Sequence, residues 1–257
     1  MTGLQVLLLL LSVVAATYAQ VLTGFAFVLV LLGLAGALDL ASLPDLANVA
    51  TVLSLLSAVV TLRGADMKYN PSAFRNTIAG GLVGIVAGVV LLAWLSTNVA
   101  VVLRLALGIT IMGCAVSMLL PSTAKSQLSS AAGFRAVGLL SGLLGGLFAT
   151  GGPPLVYHYY RQPMGVNTIR ATLLAILAAM SAMRLVVTIA AGEFSVLALK
   201  LSLLAAPAAL GASWLLRSRP PGWSPRAVLV AVCTLLLIMG AAIALPAARA
   251  GWALTMS

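Results

Sequence analysis

The run Thr150-Gly151-Gly152-Pro153-Pro154 is the place in this sequence with the means to bind a charged ligand. Two successive prolines end one helix and open another, since proline lacks the N–H that a continuing helix needs and suits a first helical turn. The helix after such a break presents unpaired N–H groups, and these together with its dipole attract an anion. Glycine lets backbone approach a ligand closely, and the Thr150 hydroxyl adds a donor. Thr150, Gly151, Gly152 and Pro153 therefore read as a cradle for an oxyanion, against the alternative that the glycines only permit tight helix packing. Thr23, Gly24 and Phe25 offer a weaker form of the same arrangement, for which both readings stand equally. Tyr157 and His158 follow the Pro-Pro break by about one to two helical turns, and either would be in reach of a ligand there. Tyr159 and Tyr160 read as interfacial anchors. Arg184 lies about seven residues from the outer end of its apolar run, or roughly 10 Å deep. It either draws an anion into a pathway or snorkels to the surface. Arg104 and Lys200 lie nearer their helix ends and read as snorkelling, and Asn48 and Asn167 as helix caps.

Other chemistries lack their residues. The chain has one histidine, His158, four acidic residues and two cysteines, Cys114 and Cys233, each isolated in an apolar run. That set offers no metal centre, no disulfide framework and no cofactor site, and it does not make an enzyme.

The elements that must position these residues are membrane helices. Of the 257 residues, 62% are hydrophobic and only 7% charged, where a soluble domain carries roughly 25% charged. Spanning segments of about 20 apolar residues must take up most of the chain, and long continuous runs without alternation make them helices. The runs fall at about 4–17, 21–38, 46–62, 76–95, 99–120, 134–149, 153–160, 168–191, 196–216 and 226–248. The first 20 residues resemble a signal peptide in their apolar stretch and small-residue end, but no Lys or Arg precedes the stretch; they read as the first membrane helix.

The net charge of +10 belongs to the loops. Arg63, Lys68 and Arg75, then Lys125 and Arg135, then Arg161 and Arg170, then Arg217, Arg219 and Arg226 mark four cytoplasmic loops. Asp39, Asp45 and Glu193 then fall outside, as do both termini. The segment 134–160 lies between two cytoplasmic loops, so it must enter and return on one side, turning back at the Pro-Pro break near the midplane. The stretch 4–38 is too long for one span and divides likewise near Tyr18 to Gly24. Each half, 1–122 and 123–257, thus has a broken helix pair followed by three spans, and the halves are oppositely oriented. The expected fold is all-α, two inverted membrane repeats with a substrate site at the breaks, as in transporters built this way. Gly80, Gly84 and Gly88, and Gly138, Gly142 and Gly146, recur every four residues and predict two closely packed helix faces.

The run Gly138 to Pro154, with Arg170-Ala171-Thr172-Leu173 after it and Tyr18 to Phe25 in the first half, resembles the sulfite exporter TauE/SafE family, also called the 4-toluene sulfonate uptake permease family. Leu210-Gly211, the Arg217–Arg226 loop and Gly240 also fit it. Ala26-Phe27 stands where that family usually has a further glycine, and the proline expected a few residues on is missing. The resemblance implies a multi-pass permease of the bacterial inner membrane for sulfite, organosulfonates or related anions. No Asp or Glu lies in any predicted span. An anion leaving a negative interior gains about 2.3 kcal/mol per charge per 100 mV, which favours export without ion coupling. The partners implied are a small anionic substrate and the lipid bilayer, with homo-oligomer formation left open and no nucleic acid. A carrier of another solute and a non-transporting membrane scaffold are the rival readings.

Overall fold

Among the described residues, ten helices account for the ten apolar runs. They are α1 (Gly3–Thr23), α2 (Phe27–Ala37), α3 (Leu43–Leu62), α4 (Pro71–Asn98), α5 (Ala100–Leu119), α6 (Ala131–Phe148), α7 (Gly152–Tyr159), α8 (Val166–Ala190), α9 (Val196–Ser218) and α10 (Pro225–Met256). The structure is a computed structural model and describes residues 3–23, 26–62, 69–119, 125–218 and 225–256. No strand occurs among them. Their boundaries follow local chemistry. Asn70 caps α4 by accepting from Ala73 N–H at 3.0 Å, with Pro71 beginning the first turn. Ser130 caps α6 through Gly133 N–H at 3.2 Å. Among the described residues, α1, α4, α6, α8, α9 and α10 are long and apolar enough to cross a bilayer, and α2, α3 and α5 contribute shorter apolar stretches. The chain is a polytopic helical membrane protein.

Hydrogen bonds sort the loops onto two ends. At one end Arg104 pairs with Asp39 at 2.9 Å, and the Asn48 amide donates to the Glu193 carbonyl at 2.8 Å. At the other, Lys125 N–H donates to Arg161 O at 2.8 Å, Ser129 N–H to Gln162 Oε1 at 2.9 Å, and Asn70 N–H to Thr172 Oγ1 at 3.0 Å. The segment running from Lys125 through α6 and α7 to Gln162 therefore leaves and returns at one end, as the basic loops require. Lys200 is exposed.

The two glycine rows meet each other. A Cβ built on Gly80, Gly84 or Gly88 would land on the carbonyl oxygens of Arg135, Leu139 and Leu143. One built on Gly138, Gly142 or Gly146 would land on those of Thr77, Gly81 and Ile85. Both series rise by four residues in the same direction, so α4 and α6 run parallel, backbone against backbone. Such contact replaces the hydrophobic driving force that lipid cannot supply. Elsewhere α1 packs on α9, α3 on α8 and α9, α8 on α4, α2 and α5 on α10, and α7 on α5.

One expectation is corrected here. Tyr159 is not an interfacial anchor: it is fully buried against Phe134, and its hydroxyl shares a 2.8 Å hydrogen bond with Thr77 on α4.

Candidate functional site: the second helix break and its buried arginine

The turn between α6 and α7 is made by a residue the sequence does not mark. Ala149 adopts the left-handed conformation, φ 56°, and its N–H returns to Leu144 O. Gly151 has an ordinary φ of −83°, so it is not a glycine for positive φ. It is glycine because of proximity: a Cβ there would sit 2.7 Å from the Ser141 carbonyl oxygen on α6. Gly152 opens α7, and Pro153 and Pro154 follow without N–H groups. The donors left at this helix start are Gly151 and Gly152 N–H, for which no hydrogen bond is found among the described residues. Thr150, Gly151, Gly152 and Pro153 are all buried, and Thr150 is only 3% exposed. Packing thus accounts for Gly151, and the two unpaired N–H groups stand beside that contact.

Arg184 on α8 reaches the same region from the other side. Its Nε–H donates to Gly146 O at 3.2 Å, a carbonyl in the last turn of α6 that the helix itself leaves unpaired. Its Nη1 donates to Thr51 Oγ1 at 2.7 Å, to Asn48 Oδ1 at 3.0 Å and, more weakly, to Ala47 O at 3.4 Å, all on α3. Its Nη2 is buried and has no acceptor. The side chain is 2% exposed, so the snorkelling alternative is overturned: α3, α6 and α8 enclose the guanidinium before it can reach water. No carboxylate bonds Arg184 among the described residues. Asp39 pairs with Arg104, Asp45 is held by Ser42 and Ser195, and Asp66 lies outside the described residues.

Asn48 and Thr51 are partners of Arg184 that sequence reasoning missed. Asn48 is no cap: it lies inside α3, its carbonyl oxygen accepting from Arg184 while its amide ties the α8–α9 loop. Nothing in spacing pairs positions 136 residues apart. Asn167 lies in the first turn of α8, after the Gly165 cap position, and is exposed. Tyr157 is half-buried on α7, where its hydroxyl accepts from Arg161 Nη1 at 3.0 Å and its ring lies under the same guanidinium at 5.2 Å. That arrangement faces the α7 end rather than the break. The structure does not describe Gly24 and Phe25, nor the side chain of Thr23, so the first-half candidates lie outside the described residues.

Two comparisons with known proteins bear on this arrangement. Residues 8–247 match the family model described as Sulfite exporter TauE/SafE. The chain is 32% identical over 252 residues to a protein of Cupriavidus necator named "Probable sulfite/organosulfonate exporter TauE", covering 98% of this chain and 96% of that one. No solved structure matches it. A family match over nearly the whole chain, together with a relative similar from end to end, means that this protein belongs to the sulfite exporter TauE/SafE family.

Proposed function

We propose that the protein is a permease exporting a small sulfur oxyanion, sulfite or an organosulfonate, and that Arg184 is the counter-charge of that anion. The carrying observation is a guanidinium sealed from water, with no carboxylate bonded to it among the described residues and Nη2 unused. A charged side chain at the centre of a membrane helix is disfavoured by about 2.5–3.5 kcal/mol on insertion scales. Burial without an ion partner makes sense where a ligand supplies the negative charge, and a forked guanidinium matches a multi-oxygen anion. Thr150 Oγ1 and the N–H groups of Gly151 and Gly152 supply further donors a turn away. The relative's name supports the substrate class.

The helix packing supports reading residues 1–122 and 123–257 as inverted repeats. α1 packs on α9 as α6 on α4, α2 on α10 as α7 on α5, and α3 on α9 as α8 on α4, with α3–α8 and α5–α10 pairing across the axis. On this reading the two broken pairs face opposite sides of the bacterial inner membrane, and the protein works as a carrier, not as an enzyme. The test is flux in proteoliposomes with sulfite, ethanesulfonate, chloride and glycerol. Saturable movement of the first two and none of glycerol is expected; movement of glycerol alone, or of nothing, contradicts the proposal.

A further inference from the structure

Resting on that reading, we propose that Ser141, on α6, is a substrate ligand: its hydroxyl donates to the –SO3 head of the anion at the second break. The observation is a buried hydroxyl without a partner beside the second break. Hydroxyls buried in apolar helices satisfy themselves by bonding the carbonyl four residues back. Ser12, Thr17, Thr51, Thr172, Thr188 and Ser202 all do so, at 2.6–2.8 Å. Ser141 is fully buried, the Val137 carbonyl stands four residues before it, and its Oγ makes no hydrogen bond at all. A hydroxyl sealed from water and left unpaired in a membrane protein is unfavourable, so a partner that is sometimes present accounts for it.

The position identifies the partner. Ser141 lies against Gly151: a Cβ built on Gly151 would be 2.7 Å from Ser141 O and 3.7 Å from Ser141 Cβ. The free hydroxyl thus adjoins the free N–H of Gly151, at the start of a helix whose next two residues, Pro153 and Pro154, have no N–H to give. Among residues 136–149 it is the one polar side chain. A donor hydroxyl and a main-chain N–H stand side by side at the break, and Arg184, whose Nη2 is unused, bonds Gly146 O five residues further along α6; all three offer protons to oxygen. Sulfite and an alkyl sulfonate share the three-oxygen head, so Ser141 reads the head and ignores the tail.

The test is Ser141→Ala, measured for flux and for thermal unfolding of the purified protein. KM for sulfite and for ethanesulfonate should rise together, by at least tenfold, with Vmax within about twofold. The unfolding temperature without anion should stay level or rise, because an unsatisfied buried hydroxyl has been removed. Ser141→Cys, similar in size with a weaker donor, should fall between the two. An unchanged KM for both anions in a wild-type background that transports them overturns this proposal and leaves the anion-permease reading standing. A wild-type protein that moves neither anion overturns both.

Discussion

A methyl group on Gly145 separates ligand space from packing space at the second break. A Cβ built there would lie 3.8 Å from Gly151 N and 3.9 Å from Gly151 Cα, ordinary van der Waals contact that displaces no backbone. Alanine also exceeds glycine in helix propensity by about 0.8–1 kcal/mol, so Gly145→Ala should fold and insert at least as well as the natural protein. The same methyl covers one side of the amide through which the cradle acts. Loss of one hydrogen bond to a charged ligand amounts to about 1.5–3 kcal/mol, or roughly ten- to 150-fold in affinity. KM for sulfite, measured in proteoliposomes at matched protein content, should rise within that range. Gly151→Val does not make this separation, because its Cβ must also push against Ser141 O at 2.7 Å. An unchanged KM in Gly145→Ala would refute the argument that an anion approaches the Gly151 amide, and packing alone would explain the glycines.

Gly142→Ala should lower the unfolding temperature and membrane yield sharply, since its Cβ meets the Gly81 backbone on α4; Gly113→Ala, with nothing within 4 Å, should change neither. Equal effects would contradict the parallel α4–α6 contact. Cysteines placed at Lys125 and Glu193, both exposed, should label from opposite sides of intact cells, Lys125→Cys from the cytoplasm and Glu193→Cys from outside. Labelling of both from one side would contradict the topology.

Hydrophobic runs and basic loops made the helix order legible, because lipid forces each span to declare itself in composition. The enter-and-return path of α6 and α7 was legible for the same reason: Lys125 and Arg161 are both basic-loop residues, and they meet at 2.8 Å. The glycine rows announced a close contact but not that they face each other, since spacing gives a face and not its partner. Arg184 stood out as a charge in a span, yet its fate depended on Asn48 and Thr51 on a distant helix. Both look like ordinary polar residues near a helix start. Ser141 was hidden among the glycines around it. Its type is common in helices, and only the missing hydrogen bond sets it apart. Ala149 carries the left-handed turn although glycines stand on both sides of it in the sequence, so composition pointed to the right place and the wrong residue.

The central claim is that Arg184 holds the substrate's charge, and sulfite binding to the purified protein tests it most directly. Two Nη2 N–H groups donated to an oxyanion, at about 1.5–3 kcal/mol each, correspond to at least about 150-fold in affinity. The account predicts saturable binding by the natural protein and a loss of that size or more in Arg184→Gln. Arg184→Lys should be intermediate, keeping the charge but not the fork, and all three proteins should be folded and inserted. Binding of sulfite by folded Arg184→Gln with the natural protein's affinity would contradict the account.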